Sequence, residues 1–478
     1  MKLFKRISLF FICTFLAGAL YINADAVIVQ NYNNYATSVS CTLQGAETVN
    51  YHANLLTLPA SDDGLIYLYA LQPYEYSVSV ADTQVASAPL SMNPSFSFAL
   101  KNAGGSMICK KFAMAVKTGG ALTTISGGYY ITNPEAAATS TRAPQNVGFV
   151  EPYEKMVLYR IGETDLNAVK RDNYSTAVIV NKINRELKSP YASKGDSHPV
   201  SPRMYYAFNA STANGVMTLQ NTMANFAACT NVDEFIIGNE VNTRIWNYMA
   251  YMDWDLYVRE YAQAFRVAYN AIKSTNANAK VYISLDQAWN MSELGLSDSY
   301  SYIDGADFLI LFNSFINAEG NIDWGLAYHP YPSPMTYAKF WDTSGLRNAS
   351  YYNGLVAGGK QVTFQNLPFM TSFMSLPAMK NPAGQIRSVI LPEIGITSAQ
   401  GVEVQAAAMM ACYQACKNNP VIKRIYFHRM NEGGALNFGT SGISEQVYRA
   451  LLAGDPGQYN NWALNYIGIS DWHQIVSY

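Results

Sequence analysis

The chain of 478 residues is short of charge, poor in cysteine and lacks the common catalytic signatures. Charged residues make up 14% and the formal net charge is −2, so no basic surface is expected to hold nucleic acid. Of the six cysteines, Cys13 lies in an N-terminal apolar run. The other five, Cys41, Cys109, Cys229, Cys412 and Cys416, are odd in number and follow no zinc spacing, which argues against a disulfide framework and against a metal site. Cys41 with Cys109 is one possible bridge; Cys412 and Cys416 share a face of a predicted helix, as small buried thiols do. There is no Gly-x-Ser-x-Gly elbow, no His-Glu-x-x-His and no glycine-rich phosphate loop, and Gly454-Asp-Pro-Gly457 reads as a turn. No metal and no cofactor is therefore expected.

What is present begins with a leader. Lys2, Lys5 and Arg6 precede the apolar run Ile7 to Leu20, and Ala24-Asp25-Ala26 offers a small-residue cleavage site, so residues 1–26 read as a signal peptide. The run is short for a bilayer span and no comparable run follows, which predicts a secreted protein without a membrane anchor. Tyrosine is in excess at 35 residues, beside 7 tryptophans, which suits β-rich structure and also offers rings for stacking on sugars.

Residues 27–132 read as strand after strand: Gly64 to Leu71, Tyr76 to Val80, Ser95 to Leu100 and Phe112 to Val116, punctuated by Asp62-Asp-Gly64 and Asn102-Ala-Gly-Gly105. This spacing without a helical period predicts an all-β, sandwich-like N-terminal domain. Residues 133–147, with their prolines and small polar residues, read as a linker. From 148 to 478 the rhythm becomes strand, helix, strand. Strands are expected at Met156 to Ile161, Thr176 to Ile183, Met204 to Phe208, Asp233 to Ile237, Lys280 to Leu285, Asp323 to Tyr328, Arg387 to Glu393 and Ile422 to Phe427. Helices are expected at Gly215 to Cys229, Asp255 to Lys273, Val402 to Lys417 and Ser444 to Leu452. Eight strands alternating with helices predict a (β/α)8 TIM barrel.

In such a barrel the reacting groups sit where strands end. Counted from Met156, Glu240 follows the fourth strand, Asp286 the fifth, Tyr328 and His329 the sixth, Glu393 the seventh and His428 the eighth. Two carboxylates at strand exits are what the cleavage of a glycosidic bond requires.

Gly238-Asn-Glu240 after a fourth strand, with Pro392-Glu393 ending a seventh, resembles glycoside hydrolase clan A. The strings Ile236-Ile-Gly-Asn-Glu-Val-Asn242, Asp323-Trp-Gly-Leu-Ala-Tyr-His-Pro-Tyr-Pro332, Glu393-Ile-Gly-Ile-Thr-Ser398 and His428-Arg429 are similar, further, to a family of secreted bacterial proteins known only as a domain of unknown function with a glycosidase-like barrel. Lys111 to Val116 and Tyr130 to Glu135 carry the same resemblance into the first domain. Between Glu186 and His198 the chain departs from that family, with a short polar loop in place of an extra strand and helix.

The resemblance implies a carbohydrate substrate, with Glu240 as acid/base and Glu393 as nucleophile of a retaining mechanism. Asn239 would bond the sugar 2-hydroxyl, Tyr328 would donate to the nucleophile, and His329 would hold a sugar hydroxyl. Asp286 and Trp289 would supply a hydrogen bond and a stacking face. Trp246, Tyr248 and Tyr331 would be further stacking platforms, and His428 and Arg429, at the end of the eighth strand, would also bind substrate. The alternative expectation is a glycan-binding protein on the same barrel that no longer turns over.

Overall fold

The computed structural model describes residues 34–145, 148–193, 203–250, 252–290, 301–332, 334–342, 361–428 and 434–476; the predicted leader at 1–26 and Arg429 lie outside them. Ten strands come first: β1 (Ala36–Gln44), β2 (Thr48–Leu55), β3 (Leu65–Leu71), β4 (Thr83–Pro89), β5 (Ser95–Ala99), β6 (Lys101–Asn102), β7 (Gly105–Ser106), β8 (Lys111–Thr118), β9 (Ala121–Thr124) and β10 (Tyr129–Tyr130). They pair antiparallel, as one sheet in the order β1-β2-β5 and another in the order β10-β8-β3-β4, with β9 on β8 and β6 with β7 apart. Alternate residues of β2, Val49, Tyr51, Ala53 and Leu55, are buried and meet Leu68, Phe112 and Met114 of the second sheet in one core.

Two expectations fail here. Tyr76 to Val80 is not a strand: the Val78 amide donates to Thr124 Oγ1 at 2.8 Å, and the Tyr76 hydroxyl reaches Gln263 on a barrel helix, so docking replaces strand pairing. Cys41 and Cys109 form no bridge. Both thiols are free and buried, with Cys109 Sγ 3.5 Å from the Val267 carbonyl oxygen.

The second region holds β11 (Val150–Glu151), β12 (Met156–Ile161), α1 (Leu166–Arg171), β13 (Thr176–Asn181), α2 (Ala213–Cys229), β14 (Glu234–Ile237), α3 (Trp254–Lys273), β15 (Lys280–Leu285), α4 (Gly305–Ala318), β16 (Gly325–Tyr328), α5 (Pro368–Met374), β17 (Val389–Ile394), α6 (Val402–Lys417), β18 (Ile422–Phe427), α7 (Ile443–Leu452) and α8 (Gly457–Ile467). The eight strands form one parallel sheet in the order β11-β18-β17-β16-β15-β14-β13-β12, and its two end strands are joined in sequence by residues 152–155. This curled α/β sheet fits a TIM-like barrel. Helix starts follow local chemistry: Thr212 Oγ1 accepts the Gly215 amide of α2 at 3.1 Å, and α3 carries Asp255 in its first turn and Lys273 in its last. No helix among the described residues is long and apolar enough to cross a membrane.

Met204 to Phe208, expected as the third strand, lies outside the sheet. β13 pairs directly with β14, Thr176 opposite Glu234, while Tyr206 and Phe208 make isolated bridges to Asn181 and Lys188. The alternation that suggested a strand serves another purpose, because Tyr205 caps the cluster that fills the barrel. The eighth parallel strand is instead β11, Val150 opposite Ile425 of β18. Counted from β11, Glu240 still follows the fourth strand and Glu393 still lies in the seventh.

Strand side chains alternate in two sets. Met156, Val178, Val180, Ile236, Tyr282, Ala327, Ile390 and Tyr426 form a separate cluster inside the barrel. Their neighbours Val157, Ile179, Phe235, Ile283, Leu326 and Ile425 join the larger core under the helices. At the N-terminal ends of the strands the inward residues are polar. Glu234 is paired with Arg424 and accepts from Tyr282, Tyr426 and Thr176 hydroxyls at 3.2, 3.3 and 3.2 Å. The side chains of Arg424 and Glu234 are 12% and 8% exposed. Arg424→Met, which strands this buried carboxylate, should cost about 3–5 kcal/mol in urea unfolding, and adding Glu234→Gln should recover part of the loss.

Candidate active site

At the opposite end, β14 exits into a turn that ordinary residues avoid. Gly238 has φ +85°, and a Cβ there would stand 2.6 Å from Val241 Cγ1. Two residues on, Glu240 itself holds φ +42°, in the left-handed region where a side chain is strained. The turn persists because β15 clamps it. The Glu240 amide donates to Ser284 Oγ at 3.1 Å and the Val241 amide to the Ser284 carbonyl at 2.8 Å. The Asn242 side chain donates to Asp286 Oδ1 at 2.7 Å and accepts the Asp286 amide at 3.2 Å.

Glu393 reaches the same rim by a different device. Leu391 and Ile394, three apart, both face the outer core, and the register with β18 shifts between them. An irregularity of this kind, at Pro392-Glu393, turns the carboxylate towards the barrel mouth. The Tyr331 hydroxyl donates to Glu393 Oε2 at 2.9 Å. His329 lies between the glutamates, its Nδ1 2.9 Å from Glu240 Oε1 and 3.6 Å from Glu393 Oε2, and its Nε2 3.3 Å from Ser284 Oγ. One atom from each of Glu240, His329 and Glu393 lies within 4.8 Å of the other two. Nδ1 and Glu240 Oε1 stand at hydrogen-bond distance within this set. The glutamate side chains are 15% and 20% exposed and the imidazole 1%, so the carboxylates are accessible and their bridge is not.

The remaining residues named from the sequence divide. Tyr328 does not meet Glu393: it shares the outward face with Leu326, is fully buried, and donates to the Val362 carbonyl at 3.1 Å. Tyr331, expected as a platform, makes the bond expected of Tyr328, and its ring stacks on Phe438 at 6.2 Å. His329 is enclosed by protein partners rather than turned to a sugar. Trp289 is 5% exposed and packs edge-on against Tyr328 and Phe373, away from a stacking role. Trp246 is half-buried over Tyr205 at 5.4 Å, and Tyr248 is fully buried. Asn239 is 7% exposed beside Glu240. Asp286 holds Asn242, and His428 stands edge-on to Tyr153 at 4.5 Å. Arg429 lies outside the described residues. Ser284 and Asn242 were not singled out from the sequence, although a lone hydroxyl two residues after inward-facing Tyr282 was a readable sign.

Charge is tightly managed here. Burial opposes a proton on His329, but Glu393, Glu240 and Asp286 outweigh it and hold its pKa above the ordinary value. Burial first, and Glu240 second, push Asp286 up to about 7 against the pull of Asn242 and the Ala288 amide. Burial, then Glu393 and Glu240, keep the Tyr331 hydroxyl protonated.

A family described as "Family of unknown function (DUF5722)" matches residues 154–475. No curated protein matches the chain. Among solved structures the chain is similar to an FMN-binding β-glucuronidase from Faecalibacterium prausnitzii L2-6, with 11% identity and a TM-score of 0.33 over 87% of this chain and 61% of that one. It is similar to a Bacteroides uniformis β-glucuronidase at 9% identity and a TM-score of 0.30, over 87% of this chain and 49% of that one. A Paenibacillus polymyxa xyloglucanase matches at 12% identity and a TM-score of 0.31, over 60% of this chain and 61% of that one. These neighbours are glycoside hydrolases, and the chain spans about half to three fifths of the two β-glucuronidases.

Asp286 supplies a test of the electrostatics. Its folded pKa of about 7 stands above the usual 3.8, so the folded state binds the extra proton. That contribution is whole below about pH 4 and is lost as the pH rises through 7. Asp286→Asn removes it, so the melting temperature of the variant relative to the parent should climb between about pH 4 and 7 and then level off.

Proposed function

We propose that this chain, which belongs to the DUF5722 family of unknown function, is an exported glycoside hydrolase that cleaves β-glycosidic bonds with retention of configuration. The observation that carries the reading is the facing pair at one rim, Glu240 and Glu393, with carboxylate oxygens within 4.8 Å of each other. Carboxyl groups about 5–5.5 Å apart suit direct attack on the anomeric carbon, whereas inversion needs roughly 6.5–9.5 Å to admit water between them.

In the first step a Glu393 oxygen bonds to the anomeric carbon while Glu240 gives its proton to the departing glycosidic oxygen. The product is a glycosyl ester on Glu393. In the second step Glu240 takes a proton from water, the water oxygen displaces the Glu393 ester, and the sugar leaves with its original configuration. Tyr331 donates to Glu393 and favours its ionised form before attack and after release. Asn239, beside the acid/base, bonds the sugar 2-hydroxyl. Trp246, half-buried over the buried Tyr205, offers a ring face at the mouth. The leader at 1–26 carries the protein out of the cytoplasm, where the substrate is an oligosaccharide or polysaccharide.

The test is a panel of aryl β-glycosides and polysaccharides read by proton NMR. The sugar first released should be the β-anomer; the α-anomer appearing first would exclude double displacement. Glu393→Gln should lose on the order of 10³-fold or more on every substrate, and Glu240→Gln about 10²–10⁴-fold where the leaving group needs a proton. Binding without turnover, unchanged by either substitution, would mark a glycan-binding protein instead.

A further inference from the structure

Ser284 does more than close a turn. Its side chain is fully buried, and its oxygen meets two groups: the Glu240 amide at 3.1 Å, which can only donate, and His329 Nε2 at 3.3 Å. The amide takes one lone pair of Oγ. Among the described residues, Nε2 is then the one partner left for the hydroxyl proton, and a buried hydroxyl without an acceptor is unfavourable.

We propose that Ser284 is a positioning residue that selects the Nδ1–H tautomer of His329 and thereby leaves Oε2 of Glu240 as the oxygen that carries the catalytic proton. The proposal rests on the glycosidase reading for its use of that proton, but not for the tautomer. With Ser284 donating to Nε2, the neutral imidazole must carry its hydrogen on Nδ1. That hydrogen points at Glu240 Oε1, 2.9 Å away. An oxygen accepting an N–H bond does not also carry a proton along it. When Glu240 is the acid, Oε1 is therefore its carbonyl oxygen and the proton resides on Oε2. The opposite tautomer would set Nε2–H against a hydroxyl that needs an acceptor. It would also aim the Nδ1 lone pair at Oε1, drawing the acid proton inward.

Protons balance through both steps. Nδ1 keeps its hydrogen throughout, while Oε2 gives one proton to the leaving oxygen and regains one from water. The groups facing the imidazole are Glu240, Glu393, Asp286, Tyr331 and Ser284. Protonating Glu240 removes one of the negative charges that favour the imidazolium, so acid proton and neutral imidazole support each other.

The experiment is nitrogen NMR of the ¹⁵N-histidine-labelled full chain, scanned from about pH 5 to 9. His329 is assigned among the five histidines by the signals lost in His329→Gln. The expected result is a protonated Nδ1 and a bare Nε2 in the parent, a mixed or reversed pattern in Ser284→Ala, and the parent pattern in Ser284→Thr. A parent His329 with Nε2–H, an imidazolium persisting to the top of the range, or a tautomer unmoved by Ser284→Ala overturns the proposal. A parent spectrum with Nε2–H overturns the proposal whether or not Ser284→Ala folds, and should Ser284→Ala fail to fold, Ser284→Cys, with its weaker donor, must shift the pattern in the same direction or the proposal falls. On active substrates Ser284→Ala should slow poor leaving groups about 10-fold or more and activated aryl glycosides less than about 3-fold, with Ser284→Thr restoring the rate. Absence of turnover on every glycoside would sink the enzyme reading and leave the tautomer result standing.

Discussion

Everything at the rim depends on the two-residue alternation of strands around a filled barrel. A one-residue slip would exchange the inward set, Ile236, Tyr282, Ala327 and Ile390, with the outward set that packs under the helices. The alternation is therefore rigid, and it decides what can reach the mouth. It sends Tyr328 out and His329 in. It also means that Glu393, three residues past inward-facing Ile390, reaches the mouth only because the backbone breaks the rule at Pro392-Glu393, while Glu240 gets there past its strand's end through a left-handed turn. Both departures sit at the carboxylates, where local strain has a use.

Bringing two carboxylates that close raises an electrostatic difficulty, which is met by a buried imidazole rather than by a solvated lysine. His329 can carry charge when both glutamates are ionised and can stand neutral when one is protonated, so the set adjusts to the number of protons the pair holds. Asp286, held by Asn242, adds a third carboxyl whose raised pKa keeps it from overloading the site with negative charge at mildly acidic pH. The contrast with the barrel floor is instructive. There Glu234 is neutralised by Arg424, whose charge is permanent, and the cluster serves only to close the end.

Much of this was legible in the residues. The strands Met156 to Ile161, Lys280 to Leu285 and Ile422 to Phe427, and the helix Val402 to Lys417, fall where their patterns placed them, because long periodic runs leave little choice. The apolar helix α4 gives no helical signal in the sequence, since its hydrophobic residues run almost all round and show no stripe. β11 is two residues long, too short for any period, while the strand-like run Met204 to Phe208 makes isolated bridges and lets Tyr205 cap the barrel cluster. At the site, Glu240 and Glu393 were found because they follow strands. The partner of Glu393 is not Tyr328, which ends its strand facing outward, but Tyr331, three residues on in the loop. Ser284, a small residue among apolar ones, carries no motif signal of its role.

The N-terminal sheets bear on the barrel in more than sequence. The side chain of Lys111, fully buried on β8, pairs with Glu319 just past α4 at 2.7 Å; the Tyr130 amide bonds the Glu319 carbonyl, and Asn270 of α3 bonds the Ile108 carbonyl. Arg266 of α3 stands 4.9 Å over the Tyr130 ring. Helices α3 and α4 flank β15, the strand that clamps the Glu240 turn. The stretch that sequence kinship delimits, residues 154–475, is accordingly narrower than the unit that must assemble. Cutting the gene at that border would remove the buried ammonium that Glu319 pairs with and bare the flank of the helices on either side of the strand that holds the Glu240 turn, so the border of kinship is not a border of folding.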